Sequence, residues 1–182
     1  MNQLVFASVM AISAMAGPVA QPDTALIAVS NEILRDLAAL PGELIVEHSP
    51  NPVQGVRKPE GKYRYLWMYA TSVCPREGAV TIEEFGCFFW AADQERWLLS
   101  CFTGKPFTAT DFADWYSCPG AVISEGIACA DSSNWSSSGC QPVPKSMWYY
   151  IGRDATGRRV KGEAIVEQLP PPAEKAEDAT LR

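Results

Sequence analysis

Six cysteines are the residues of this chain best suited to do chemistry: Cys74, Cys87, Cys101, Cys118, Cys129 and Cys140. Thiolate catalysis, metal ligation and disulfide bonding would each use them differently. No two are spaced as C-x-x-C, and His48 is the only histidine, so the paired ligand spacing of a structural zinc site is missing. No cofactor-binding or metal-binding motif is expected. An even number of cysteines behind an export leader reads instead as a disulfide framework.

The leader is the N-terminal stretch. "MNQLVFASVMAISAMA" carries no charged side chain, and Leu4 to Ala14 is apolar throughout. Ala14-Met15-Ala16 is an A-x-A site followed by Gly17-Pro18, which reads as a secretory signal peptide cut after Ala16 or Ala20. The run is shorter than the roughly 20 apolar residues a bilayer span needs. The expected location is therefore outside the cytosol, periplasmic or extracellular, with no membrane span once the leader is removed.

Pairing of the cysteines follows from a hairpin. "EEFGCFFWAADQERWLLSCF" reads as two strands with the tip at "DQER". Centring the turn on Gln94 puts Phe89 opposite Leu99 and Cys87 opposite Cys101, at the Cα separation of about 4.5–5.5 Å that a disulfide can bridge. A one-residue slip would separate them. Cys129 and Cys140 flank "CADSSNWSSSGC", read as a polar loop that a bridge would close. Elimination leaves Cys74 with Cys118. Both faces of the hairpin are apolar, Phe85 and Phe89 on one and Phe88, Trp90, Leu98 and Phe102 on the other, so both must be covered.

The elements around it are mostly strands. Leu26, Val29, Ile33, Leu37 and Leu40 form an apolar stripe at helical spacing, stopped by Pro41-Gly42. "ELIVEH" suggests a short strand, and a proline- and glycine-rich surface loop follows it. In "YRYLWMYATSVC", Tyr63, Tyr65, Trp67 and Tyr69 alternate with Arg64, Leu66, Met68 and Ala70, the period of a strand. "FTATDFADWYSC" suggests a short helix capped by Thr108 or Thr110. "SMWYYIGRDATGRRVKGEAIVEQ" is a hairpin with a turn at Asp154–Gly157, a register that sets Trp148 and Tyr150 beside Lys161 and Glu163. The expected fold class is α+β. One domain over residues 17–168 would hold a mostly antiparallel sheet built from hairpins, with the N-terminal helix packed on one face. Residues 169–182 read as a disordered proline-rich and charged tail.

Few residues carry a catalytic pattern. There is no G-x-S-x-G, no H-E-x-x-H and no phosphate-cradling glycine loop. His48 reads as an ordinary surface histidine at the edge of a loop. Asp111 and Asp114 share a helix face, which suits a pair of hydrolytic acids but also an acidic first turn. "NWS" at Asn134 matches a glycosylation acceptor. The net charge of −6 argues against nucleic acid as a partner.

Aromatic surfaces are the stronger lead. Tyr63, Tyr65, Trp67 and Tyr69 on one strand, Trp148 and Tyr150 on the last hairpin, and Trp135 in the serine-rich segment are the candidate binding residues. They point to an exported, disulfide-stapled module that binds a protein partner, as an inhibitor or accessory subunit. A small secreted hydrolase of glycan or cell wall using Asp111 and Asp114 is the alternative. A third reading is a structural subunit of an envelope assembly, self-associated or docked through the doubly apolar hairpin.

Overall fold

A computed structural model describes residues 24–139 and 141–173. The expected leader and cleavage site lie outside the described residues, as does Cys140. Helix α1 (Thr24–Ala39) is followed by β1 (Leu44–Ser49), two short pieces β2 (Val53–Gln54) and β3 (Val56–Arg57), and the long strands β4 (Tyr65–Pro75) and β5 (Val80–Ala91). Then come β6 (Arg96–Leu99), β7 (Phe107–Thr108), α2 (Ala109–Trp115), a 3-10 turn at Pro119–Ala121 and β8 (Val122–Ile123). The chain closes with β9 (Cys129–Ser138), β10 (Lys145–Asp154) and β11 (Arg159–Leu169). The protein is mostly sheet with few helices, and the sheet is mostly antiparallel as expected.

Two sheets face each other. One holds β1 and β3 on one side of β4 and β9 on the other; the second runs β2-β11-β10-β5-β6, with β7 and β8 also on β5. Among the described residues all strand pairings are antiparallel except β2 with β11. The alternation read in β4 is real: Trp67, Tyr69, Thr71 and Val73 are all buried, whereas Met68 is exposed. The sheets meet at a seam between β1 and β11, where Glu43 N–H donates to the Lys161 carbonyl at 3.0 Å and Lys161 N–H to Pro41 at 2.9 Å. Gly162 makes that seam possible, because a Cβ there would lie 2.5 Å from Leu44 Cβ and 2.8 Å from its carbonyl oxygen. On the opposite side the sheets end in β9 and β6.

Helix α1 begins and ends as its stripe predicts, but the stripe is not buried evenly. Leu37 is buried, Leu26, Ile33 and Leu40 pack partly against the core, and Val29 stays exposed. Its polar anchor is Ser30, whose Oγ donates to the Leu26 carbonyl and accepts the Leu99 N–H of β6 at 2.9 Å. The short helix α2 is capped by Thr108. Asp111 N–H donates to Thr108 Oγ1, while the Asp111 carboxylate accepts from the Thr108 backbone N–H and hydroxyl, both at 2.7 Å.

Both long hairpins are slipped by one residue from the expected register. In β5–β6 the last pair is Ala91 with Arg96, so the loop spans residues 92–95 and Glu95 takes a positive φ of 50°. Phe88 then faces Leu99, and Ser100 N–H donates to the Cys87 carbonyl at 2.7 Å. Cys101 is displaced along the chain, and both cysteines are free thiols rather than the expected bridge. In β10–β11 the turn is as expected, with Gly157 N–H donating to the Asp154 carbonyl at 2.9 Å and Gly157 at φ 81°. One extra residue in that turn moves the pairing, so Trp148 faces Ala164 and Tyr150 faces Gly162, while Lys161 and Glu163 sit opposite Ile151 and Tyr149.

The serine-rich segment is the largest correction. It is strand β9, not a loop, and it pairs along β4 from Val73–Cys129 to Tyr65–Ser138. The expected Cys129–Cys140 bridge across a loop is not formed at Cys129. Cys129 instead bonds Cys118, with their Cα atoms 5.7 Å apart. The expected Cys74–Cys118 pair is displaced as well. Val73 is the residue opposite Cys129, so the neighbouring Cys74 points to the other face of β4 and remains a free, half-buried thiol. At the C-terminal end, Leu169 belongs to β11, and its carbonyl accepts from Gly55 N–H and Trp67 Nε1. The boundary expected at residue 169 therefore falls inside the sheet, and residues 174–182 lie outside the described residues.

Candidate functional site

The strands on either side of the open end bracket a cavity of about 760 Å³. The Cys118–Cys129 bond ties the start of β9 to the 3-10 turn just before β8, which pairs with β5. The cavity floor is Trp148 of β10, with Cys87 and Phe89 of β5, which share a face because they are two residues apart. One wall is aromatic: Phe107, placed by β7, lies 4.7 Å from the Trp115 ring of α2 and 5.1 Å from Phe102. Phe102 forms a lip and is 62% exposed. The opposite wall is β9, which contributes Asp131, Ser133 and Asn134–Ser137. Lys62 and Tyr63, just before β4, complete the mouth, and the Tyr63 and Trp135 rings lie 6.4 Å apart there.

Behind the β9 wall the two sheets are cross-linked by polar side chains. Trp148 Nε1 donates to Tyr69 Oη at 2.7 Å, and Tyr69 Oη lies 3.1 Å from Ser136 Oγ. Ser136 Oγ also accepts from Gln168, whose Oε1 accepts from Ser146 Oγ. Burial pushes the Tyr69 phenol far above its ordinary pKa, so it is a neutral hydroxyl. A second set centres on Thr71. Asn134 Nδ2 donates to Thr71 Oγ1 at 2.8 Å, and His48 Nδ1 lies 2.9 Å from the same oxygen. His48 Nε2 faces the Ala164 carbonyl, which can only accept, so the proton sits on Nε2 and Thr71 donates to Nδ1. These bonds hold β9 against β4 and set the direction of Trp135.

Three of the seven candidate binding residues converge on this cavity: Tyr63, Trp135 and Trp148. Tyr63 and Trp135 are about two-fifths exposed, whereas Trp148 is buried at the floor. The other four do not form a platform. Trp67, Tyr69 and Tyr150 are core residues, and Tyr65 is half-buried with its ring stacked on Trp67 at 6.3 Å. An aromatic strand face is covered here because a second sheet lies on it. Sequence reasoning missed Phe102, Phe107, Trp115 and Lys62. The apolar residues on both faces of β5 and β6 were the signal for the first three, since one of those faces lines the cavity.

Residues suited to covalent or hydrolytic chemistry are placed elsewhere or are muted. Asp111 is bound up in the α2 cap and Asp114 is exposed, so neither reaches the cavity. Asp131 is the one carboxylate on the cavity wall among the described residues, and its Oδ1 accepts the Ser133 N–H at 2.8 Å. Burial raises the Cys101 thiol to about 11 and also pushes the Cys87 thiol well above its ordinary value, so both are protonated near neutrality and weak as nucleophiles. Asn134 is buried with its amide bonded on both sides, so the N-W-S match does not present an accessible acceptor.

Burial lowers the pKa of His48. The sign follows from linkage. Between the depressed folded pKa and the ordinary value near 6.5, the unfolded chain binds a proton that the folded chain does not. Stability is therefore complete above about pH 6.5 and declines as pH falls below it, by at most about 1.4 kcal/mol per pH unit for this one group. Denaturation curves between pH 7.5 and 5 are expected to show that decline in the native sequence and a flatter dependence in His48→Gln. Parallel curves would assign the acid sensitivity to other groups.

No protein-family model matches the chain, and no curated protein matches it. Among solved structures it is similar to a crystal structure of a Bordetella pertussis protein given the provisional name ApaA. That likeness covers 71% of this chain and 96% of the other, at 11% identity and a TM-score of 0.40. A similarity of that strength carries neither fold nor function across.

Proposed function

We propose that this protein is an exported, disulfide-stapled binding module whose site is the cavity between β6 and β9. The single observation that carries the reading is the convergence of exposed Trp135 and Tyr63 on a cavity floored by Trp148 and walled by Phe102, Phe107 and Trp115. A volume near 760 Å³ suits one organic ligand or the side chains of a short segment. Aromatic walls supply apolar area and stacking at little entropic cost. No helix among the described residues is long and apolar enough to cross a membrane. Export is supported by the leader pattern and is compatible with the Cys118–Cys129 bond.

The cavity argues for a ligand with an apolar body rather than a glycan cut by two acids. Paired carboxylates about 5–9 Å apart are the hydrolytic arrangement, and Asp111 and Asp114 are both away from the wall. A protein partner remains the second reading, favoured by the exposed Phe102 at the lip, which offers contact area outside the cavity.

Titration of the oxidised protein with small apolar and aromatic compounds, followed by intrinsic tryptophan fluorescence, tests the first reading, since Trp115, Trp135 and Trp148 all line the cavity. Trp135→Ala is expected to weaken binding by about tenfold or more, the scale of a well-packed aromatic anchor. Unchanged affinity would remove Trp135 from the site. Capture of one defined protein partner, lost in Phe102→Ala but insensitive to small ligands, would favour the second reading.

A further inference from the structure

The chemistry at the mouth of the cavity differs from that of its interior, and the difference specifies a ligand. Inside, one wall is aromatic and the other is the polar strand β9, where Asn134 and Ser136 are already bonded to Thr71, Tyr69 and Gln168 and the Asp131 carboxylate accepts the Ser133 N–H. At the lip stands Lys62. Its ammonium lies 5.2 Å from the centre of the Tyr63 ring and makes no ion pair among the described residues. Lys58, Lys62 and Arg64 fall within seven residues against one acid, Glu60, in a chain whose net charge is −6. Lys58 and Lys62 also share a shallow groove with Glu60, Tyr63, Met68 and Trp135, directly beside the cavity mouth. Lys62 is therefore the one cation lining the cavity among the described residues, and Asp131, engaged with the Ser133 N–H, is the one anion.

The outer strand of that entrance is also poorly suited to an added peptide strand. Two backbone donors of β9 are taken by side chains of the same strand: Ser133 N–H by Asp131 Oδ1 and Trp135 N–H by Asn134 Oδ1 at 2.7 Å. An incoming strand would lose both donors, which is a common way for sheet edges to resist addition. A compact occupant, apolar in its body and singly negative at one end, suits the aromatic wall and Lys62.

Resting on the cavity reading above, we infer that the ligand is a monoanionic amphiphile of the long-chain carboxylate class, with its hydrocarbon inside the cavity and its carboxylate at Lys62. Charge and chain make separable contributions. The hydrocarbon gains the burial free energy of apolar surface. The carboxylate gains a charge-assisted hydrogen bond and an attraction that weakens with added salt.

Decanoate and decan-1-ol share a chain length and differ in the head group, so together they test the assignment. Both are titrated into the oxidised full-length protein at low salt, with tryptophan fluorescence and calorimetry as readouts. Decanoate is expected to bind about tenfold tighter or more, the scale of a hydrogen bond to a charged group. Lys62→Glu should abolish that preference, read as the ratio of the two affinities within the same variant, and Lys62→Arg should retain it. Equal affinity for the two compounds, or a preference that survives Lys62→Glu, overturns the head-group assignment and leaves the cavity reading standing. Binding of neither compound overturns both.

Discussion

Phe85→Ala is expected to destabilise the protein by about 3–5 kcal/mol, the range for truncating a fully buried aromatic. Phe85 lies on β5, has no exposed surface, and is the centre of the aromatic core. Its ring is parallel to Tyr150 at 5.8 Å and stacked on Trp148 at 6.3 Å, both on β10. From the other side it meets Phe107 at 5.1 Å, and Phe112, Trp115 and Tyr116 of the α2 region at 5.4–5.8 Å. The substitution therefore opens a void at the point where α2 is fastened to the sheet. Neighbouring rings are themselves locked in contact and cannot collapse fully into the space. Phe102→Ala is the matched control: the same residue type, 62% exposed, should change stability by no more than about 0.5 kcal/mol. Urea denaturation of the two variants measures the contrast. A loss below about 1 kcal/mol at Phe85 would mean that the ring cluster is not packed as described.

Because Phe107 and Trp115 form one wall of the cavity, Phe85 also bears on the site. Ligand binding in Phe85→Ala should weaken even under conditions where the variant remains folded, since the wall loses its backing.

Removing the Cys118–Cys129 bond, by Cys118→Ala with Cys129→Ala, is expected to cost about 3 kcal/mol. The bond closes a segment of 11 residues, and the chain-entropy relation for a loop of that size gives this magnitude. The effect acts mainly on the unfolded chain, so it should be reproduced by reducing agent in the native sequence and be absent when reductant is added to the double variant. Locally the loss has a second consequence. The bond fastens the start of β9 beside the 3-10 turn at Pro119–Ala121, so hydrogen exchange should rise in β9 before it rises in β10. Fragment mapping of the unreduced protein supplies the sharpest check. It should recover Cys118 and Cys129 in linked peptides; a map joining Cys129 to Cys140, or Cys74 to Cys118, would overturn the pairing.

Local order was legible in the sequence wherever a short-range rule sufficed. The alternation through Tyr65, Trp67 and Tyr69 identified β4 and which rings share a side, but that side was read as a binding platform rather than as core. Thr108 announced the start of α2, Asp154–Gly157 announced the last turn, and Pro41-Gly42 announced the end of α1. Each is a property of neighbouring residues: side-chain direction in a strand, a cap, a backbone conformation that glycine adopts freely. What lay beyond that range was not legible. The registers of both hairpins hinged on single extra residues in their turns, and one residue was enough to part Cys87 from Cys101. Strand β9 was hidden because serine and aspartate favour turns, and only its pairing with β4 holds it extended. The same limit applies to the site. Periodicity reveals which aromatic rings share a side, but what lies opposite that side depends on the packing of the whole chain. A second sheet turned Trp67 and Tyr69 into core, and its divergence at β9 left Trp135 and Tyr63 at the mouth of a cavity.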